Sequence, residues 1–477
     1  MATENTHYGA ARIAEMLRDC KSIYFIGIGG INMSSLAQIS KKRGYRVGGS
    51  DRSPTPLTER LAKEGIAVFY GHRQEQVEPY DAVVYTVAIS PDNPEYQFAL
   101  RRGIPCISRA DYLGYVMTGY RCRIGIAGMH GKSSCTSMCA QTLLEANADP
   151  TVLSGAELSA MGGAYHVGGE ETFLFEACEY MDSFLDFNPT VAVILNIEMD
   201  HVDYFKSMEQ IHSSYARYAA LTGTEGCAVI NCDDGDVLAA LVDYQGTKIT
   251  FGIENEGAAL RAVNLVERRG KYSFDVLADD ERFCHITLNV TGHHHVYNAL
   301  ACVAVCRLRG LRADAIEKGL SHFGGAKRRM EWKGSLGGAD VYDDYGHHPT
   351  EIRATLTGAK GLTEEGGRLF CVYQPHTYSR TKALFDDFVS SLGVADRLLL
   401  VDIYAARETD TLGVSSALLA ERIGGGALSC GTVQNAAAIL REEVRQADTV
   451  VVMGAGDVYR IFDCLGDELK KNGKEKP

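Results

Sequence analysis

The chain has 477 residues, 45% hydrophobic and 23% charged, which supplies several cores and, at ~150 residues per domain, about three domains. A formal net charge of -13 excludes nucleic-acid binding, which needs a basic face to displace counterions from phosphates. No apolar run approaches the ~20 residues that span a bilayer, and the first twenty residues lack the basic-then-apolar order of a secretion signal, so a cytoplasmic protein with no membrane partner is expected.

Met1 to Cys20 reads as a short polar helix. Ser22-Ile-Tyr-Phe-Ile-Gly-Ile-Gly-Gly30 follows as a strand running into a glycine turn, then a helical pattern from Met33 to Arg43. Further strands are expected at Arg46-Val-Gly-Gly, ending at Ser50-Asp51, and at Asp81-Ala-Val-Val-Tyr-Thr86. This alternation predicts a parallel sheet with crossover helices. Gly27, Gly29 and Gly30, with Asp51 further on, resemble a dinucleotide fingerprint in which Asn32 stands at the third glycine position. The pattern points to a pyrophosphate at a helix start rather than to a particular nucleotide. A close-packed strand–helix turn is its structural alternative.

A second unit opens at Arg123-Ile-Gly-Ile-Ala-Gly128 and continues through Met129, His130, Gly131, Lys132, Ser133 and Ser134 into a helix. Glycines let backbone N–H groups curl around phosphates, Lys132 reaches the β- and γ-phosphates, and Ser133 offers a hydroxyl to Mg²⁺. Ile126 occupies the first glycine position of the strict phosphate-loop spacing, so the alternative is a tight turn with a surface lysine. Buried strands are expected at Thr172-Phe-Leu-Phe-Glu176 and Val191-Ala-Val-Ile-Leu195. Glu176 ends the first, and Asp200-His201 follows the second; these side chains suit a divalent ion at the rim of a parallel sheet. Gly292-His-His-His295 reads as a loop turning into a helix, with one or two rings used, because three consecutive helical residues cannot face one ion.

The third unit starts near Lys327-Arg-Arg and carries strands at Leu369–Tyr373, Arg397–Asp402 and Thr449–Met453. Asp343-Asp-Tyr-Gly-His-His-Pro-Thr-Glu351 is dense in ionisable groups, and Pro349 suits a first helical position. In the polar run after Gln374-Pro-His376, Arg380 has the fork that binds a carboxylate through two bonds. The residues 470–477 are charged and expected to fray. The fourteen cysteines lie singly along apolar segments, with no CxxC pair, and are expected to be free and mostly buried.

Taken in order, these segments resemble the Mur ligase family along nearly the full chain. The likeness rests on Gly27-Ile-Gly-Gly-Ile-Asn-Met-Ser34, Gly128-Met-His-Gly-Lys132, Glu176-Ala-Cys-Glu-Tyr180, Asn196-Ile-Glu-Met-Asp-His201, Arg328-Arg329, Asp343 to Glu351, Gln374-Pro-His376, Arg380-Thr381 and Asp402-Ile-Tyr-Ala-Ala-Arg-Glu408. It implies an α/β chain of three domains: Rossmann-like over 1–120, a central ATPase domain with a parallel sheet over 121–326, and Rossmann-like again over 327–477. It implies ATP-dependent ligation of L-alanine to the carboxylate of UDP-N-acetylmuramate through an acyl phosphate, with ATP and Mg²⁺ required. The UDP-sugar is expected at Gly29, Gly30 and Asp51, and ATP at residues 128–134, Asn298, Arg328 or Arg329 and Asp344, with His294 a further neighbour. Ser133, Glu176 and His201 are implied as metal ligands, and His348, His376 and Arg380 as the alanine site. Lys132, Glu176, His201, Arg329, His348 and Arg380 are implied to carry the chemistry.

The chain departs from the family pattern at several positions. Met129, Ser133, Ser134 and Cys135 stand where a threonine-rich loop is usual, and serine keeps the hydroxyl. Cys178 replaces an Asp, His295 an Asn and Thr377 an Arg. No lysine lies about fifteen positions after His201, where sister ligases carry a carbamylated one; Ala216 and Arg217 hold that register, and Lys206 reads as solvated. A murein-peptide ligase of the same family, a nicotinamide dehydrogenase and a nucleotide sensor are the competing readings. The assembly is read as monomer or homodimer.

Overall fold

Runs of five or so apolar residues, buried on both faces, make the central strands, as expected where helices cover both sides of a parallel sheet. The computed structural model describes residues 3–202, 204–406, 408–409 and 411–469. Arg407, and the tail 470–477 expected to fray, lie outside the described residues. The polar start of the chain forms a short helix, Ala10–Met16.

The first sheet holds β1 (Ser22–Ile26), β2 (Arg46–Asp51), β3 (Ala67–Tyr70), β4 (Ala82–Tyr85) and β5 (Cys106–Ser108). Its order is β3-β2-β1-β4-β5, all parallel, so the strand order reverses at β1. That reversal opens a crevice at the carboxyl end of β1, and Gly27 to Gly30 lie there. The expected helix is Ile31–Lys42.

The second sheet is built from β6 (Cys122–Ala127), β7 (Thr151–Leu158), β8 (Gly163–His166), β9 (Thr172–Glu176), β10 (Val191–Ile194), β11 (Cys227–Asn231) and β12 (Thr247–Gly252), followed by β13 (Leu260–Arg268), β14 (Lys271–Ala278) and β15 (Glu281–Thr291). Its order is β15-β14-β13-β12-β11-β10-β6-β9-β7-β8. The antiparallel stretch β13–β15 is an extension that the parallel reading did not anticipate. Its signal is the period-two burial of Phe274, Val276 and Ala278, and of Cys284, Ile286 and Leu288. The two long helices Lys132–Glu145 and His294–Leu308 pack together on this sheet, with Cys135, Cys139, Cys302 and Cys306 in the apolar cluster between them. All fourteen cysteines are free, and most are buried.

The third sheet comprises β16 (Glu331–Leu336), β17 (Ala339–Asp344), β18 (Leu369–Tyr373), β19 (Arg397–Val401), β20 (Ala427–Gly431) and β21 (Thr449–Met453), in the order β16-β17-β21-β18-β19-β20. Only the β16–β17 pair is antiparallel. Asp344, Gln374 and Asp402 therefore stand at or just beyond the carboxyl ends of parallel strands of this sheet. No helix among the described residues is long and apolar enough to cross a membrane.

Candidate active site

At the end of β1, Gly29 donates its N–H to Asp51 Oδ2 at 2.8 Å. A Cβ at Gly29 would lie 2.7 Å from that oxygen, so the close approach requires glycine. Gly27, Gly29, Gly30, Asp51, Arg52 and His72 share the walls of an open cleft of about 770 Å³ with the turn after β4, Thr86 to Ser90. Asp51 thus holds the glycine turn while facing the cleft. His72 is fixed beneath it by the buried Glu95, at 2.8 Å.

The second glycine turn leaves β6 and enters the helix Lys132–Glu145 with Gly131 at φ +83°. A Cβ there would meet Asn298 Oδ1 at 2.7 Å, which brings Asn298 against the loop as expected. Asn196, just past β10, clamps the loop from the other side: it accepts the His130 N–H at 2.8 Å and donates to the His130 carbonyl at 3.0 Å. Met129 points its side chain into the core and takes part through its backbone.

Lys132 Nζ lies 3.0 and 3.2 Å from the two oxygens of Glu179 and also bonds the Gly128 and Met129 carbonyls. His201 Nε2 meets Glu179 Oε1 at 3.1 Å. Glu179 is almost wholly buried. Burial works against its charge, but Lys132 and His201 outweigh that and hold the carboxyl below its ordinary range. For Lys132, burial is likewise outweighed, and Glu179 raises the ammonium above its usual value. Glu179 is therefore the anion around which Lys132 is organised. In the sequence it stands within the Glu176-Ala-Cys-Glu-Tyr180 segment with no role implied. Its signal was a carboxylate three positions beyond a strand-terminal one.

Glu176 occupies a different place from His201. Its Oε2 accepts from Ser133 Oγ at 3.0 Å, while its Oε1 accepts from Ser154 Oγ at 3.1 Å and from the Gly155 N–H. Ser133 and Glu176 converge as a hydroxyl and a carboxylate, an all-oxygen pair that fits Mg²⁺ completed by water and phosphate. His201 stands beside Glu179, with its ring 4.8 Å from that of Tyr180. The expected ligand trio is thus divided in this structure between two carboxylates.

A cleft of about 500 Å³ opens beside the loop, lined from the central unit by His130, Gly131, Ser134, Glu198, Asp234, His294, His295 and Asn298. The third unit closes it with Arg329, Asp344 and Glu351. Of the three-histidine run, His294 and His295 line the cleft and His293 is exposed. Burial pushes His294 down to about 4 and His295 well below its usual value, so both rings are neutral. Arg329 reaches Ser133 Oγ at 3.4 Å and Glu351 at 3.9 Å. Arg328 turns elsewhere, to Asp343 at 3.3 Å and the Gly454 carbonyl at 2.7 Å. Asp344 accepts the Met330 and Gly346 N–H groups, both at 2.8 Å, and burial raises its pKa.

His130 bridges the two units, 3.0 Å from Glu198 and 3.4 Å from Glu351. Burial opposes its charge, but both carboxylates outweigh it and the ring is pushed up to about 9. His130, Glu198 and His348 are the one trio of metal-capable side chains grouped among the described residues, a set distinct from the histidine run. Glu198 and Glu351 are further cleft residues to which sequence reasoning gave no role.

Arg380 extends from the third unit to Asp200 of the central one. Its Nε and Nη2 each lie 3.1 Å from Oδ1, and Nη2 is 3.5 Å from Oδ2. The Nη1 arm faces His376 Nδ1 at 3.3 Å, and the His376 ring stacks on Tyr404 at 5.6 Å. His348 is buried, its ring 4.6 Å from that of His130, with Nε2 unpartnered. The expected alanine residues therefore gather at the same inter-unit junction as Lys132 and His201, whereas Gly29, Gly30 and Asp51 form a separate cleft.

Two sheet-rim clefts, a glycine turn bearing Lys132 and a third unit closing over it are the architecture of a multidomain α/β enzyme. The matches to known families follow the same division: "Mur ligase family, catalytic domain" over residues 22–121, "Mur ligase middle domain" over 126–306 and "Mur ligase, glutamate ligase domain" over 328–456. The chain belongs to the Mur ligase family. It is 44% identical over 448 residues to the UDP-N-acetylmuramate–L-alanine ligase of Clostridium novyi, covering 93% of this chain and 97% of the relative. To the enzyme of the same name from Clostridium tetani it is 40% identical over 455 residues, covering 94% and 99%. The crystal structure of UDP-N-acetylmuramate-alanine ligase from Thermotoga maritima superposes with a TM-score of 0.76 at 25% identity, covering 93% of this chain and 98% of that one. A murein peptide ligase from Psychrobacter arcticus shares the fold, with a TM-score of 0.69 at 23% identity.

Proposed function

We propose that this chain joins L-alanine to the carboxylate of UDP-N-acetylmuramate at the expense of ATP, in cytoplasmic synthesis of peptidoglycan precursors. The observation that carries the reading is the junction where Lys132, His201 and Arg380 meet from two units. There Lys132 and His201 share Glu179, while Arg380 of the third unit pairs with Asp200, the residue next to His201. The relatives at 40–44% identity, which cover this chain nearly end to end, bear the name of that activity.

In this reading the sugar carboxylate attacks the γ-phosphorus of ATP, giving an acyl phosphate and ADP. The alanine amine then adds to the acyl carbon, and the tetrahedral intermediate expels phosphate to leave the amide. Carboxylate and triphosphate repel each other, so the site must supply positive charge. Lys132, freed from Glu179 by the entering phosphates, and Arg329 provide it. Ser133 and Glu176 would hold Mg²⁺, which would neutralise phosphate charge when bound, and His201 stays beside Glu179. Asn298, His294 and His295 line the adenosine side with residues 128–134, and Asp344 caps the cleft. Arg380 and His376 take the alanine carboxylate, and His348 lies beside the incoming amine. Gly29, Gly30 and Asp51 hold the pyrophosphate of the sugar nucleotide. With domain boundaries near 121 and 327, the sugar nucleotide lies in the first unit and the second and third share the ATP and alanine sites, so that closure keeps water from the acyl phosphate.

The test is phosphate release from ATP with UDP-N-acetylmuramate and each of the twenty amino acids in turn, with the tripeptide substrate of a murein-peptide ligase as a further arm. Release dependent on alanine supports the reading. Release only with the tripeptide moves the enzyme to that other activity.

A further inference from the structure

Four cations near the junction already have acidic partners: Lys132 has Glu179, Arg328 has Asp343, Arg329 has Glu351 and Arg380 has Asp200. Arg109 has none in direct contact. Its half-buried guanidinium makes no hydrogen bond or ion pair among the described residues, and Asp186 acts on it only through its field. A guanidinium withdrawn from water without a bonded counter-charge is costly, and a ligand anion recovers that cost.

Its position says which anion. Arg109 is the first residue of the helix Arg109–Met117, directly after β5. Tyr85 of β4 pairs with Ser108, so Arg109 stands on the same sheet rim as the turn from Thr86 to Ser90 that walls the first cleft. The helix also packs on the central unit at Tyr180–Asp186, and Asn188 donates to the Gly114 carbonyl at 3.0 Å. Cys178, between Glu176 and Glu179, lies within electrostatic reach of both Arg109 and Lys132. An anion held by Arg109 beside Cys178 therefore lies between the sugar-nucleotide cleft and the phosphate loop. On the function proposed above, only one substrate anion belongs there. The pyrophosphate has the Gly29–Gly30 helix start, and alanine has Arg380.

We propose that Arg109, at the β5 rim between the sugar-nucleotide cleft and Lys132, grips the lactyl carboxylate of UDP-N-acetylmuramate and presents it to the γ-phosphate. The planar fork suits two-point carboxylate recognition. Arg109 thereby selects the acid-bearing sugar over its non-acidic parent. The competing arrangement is closure of Arg109 on Asp186, whose Oδ2 is buried and unpartnered while Oδ1 meets His7 at 2.5 Å.

The test is calorimetric binding of UDP-N-acetylmuramate and of UDP-N-acetylglucosamine, which shares the nucleotide but lacks the carboxylate, to wild type and Arg109→Met. Affinity for the muramate should fall about tenfold or more in the variant, with affinity for the glucosamine compound within about twofold of wild type. Equal weakening of both ligands, or an undiminished preference for the muramate, overturns the proposal in favour of a structural bond to Asp186. Thermal melting checks that the variant folds. If it does not, Arg109→Gln, which fills similar space without charge, carries the same comparison. A wild-type chain with no affinity for UDP-N-acetylmuramate overturns the assigned substrate itself, a result distinct from retained preference in a folded variant.

Discussion

Replacing Arg380 by lysine separates charge from geometry at the domain junction. In the structure the guanidinium spends two arms on Asp200 and turns the third toward His376. Both partners are nearly buried, with side-chain exposures of 11% for Arg380 and 7% for Asp200, so solvent screens them little. Burial works against the Asp200 charge, but Arg380, with His201 and His348, outweighs it and holds the carboxyl well below the ordinary carboxylate range. Stability from this depressed group is present above the unfolded pKa of about 3.9 and is lost only as pH falls through the folded value. Asp200 is therefore ionised throughout the working range and keeps its claim on any cation at position 380. A lysine offers one ammonium, which Asp200 takes, and nothing planar remains for the alanine carboxylate. One charge-assisted hydrogen bond is worth about 1.5–3 kcal/mol, or about 10- to 100-fold in an equilibrium. In coupled phosphate-release assays the Michaelis constant for alanine should rise by that factor in Arg380→Lys, with that for ATP within about threefold. The alanine effect should be flat from pH 6 to 9. Equal rises for alanine and ATP, or an alanine constant near wild type, would refute the carboxylate role and leave Arg380 as a domain clasp.

Lys132→Ala should cut turnover at least ~100-fold, the scale of losing one transition-state donor; near wild-type turnover would sink the ATP assignment. Glu179→Gln should destabilise the ligand-free protein by about 3 kcal/mol, because it strips the counter-charge from Lys132, and urea unfolding should show the loss shrinking as ATP is added. His130, raised to about 9, contributes stability that is complete below its unfolded pKa of about 6.5 and is lost as pH rises through 9. Melting temperature should therefore decline over that window in wild type and less so in His130→Gln; identical profiles would contradict the Glu198–His130–Glu351 bridge. Activity should be indifferent to removal of CO₂, and Lys206→Ala should stay active, since the Lys206 ammonium reaches the Val202 carbonyl at 2.8 Å and Arg217 pairs with Asp182 at 3.4 Å. A dead Lys206 variant revived by short carboxylic acids would show that a carbamate is needed after all.

The amino-acid sequence by itself determined what depends on neighbours along the chain. The apolar runs Ser22–Ile26, Cys122–Ala127 and Leu369–Tyr373 had to become buried strands, and the glycine turns after the first two had to present backbone N–H groups at helix starts. Those local rules also marked Lys132, Glu176, Asp344 and Arg380, all close to strand ends. Tertiary structure decided which of them meet. Lys132 and His201 are drawn together by Glu179, and Glu176 pairs with Ser133 instead. Of two adjacent arginines, Arg329 faces the cleft while Arg328 turns to Asp343, in keeping with the left-handed backbone at Arg328 and the packing of its guanidinium over Tyr459. Arg109 sits in an unremarkable stretch of sequence, and only the docking of its helix on Tyr180–Asp186 brings it against the central unit. Local pattern fixes backbone conformation within a few residues. Which charges neutralise one another is fixed by burial across the chain, because a charge taken out of water must find its partner wherever the fold has placed one.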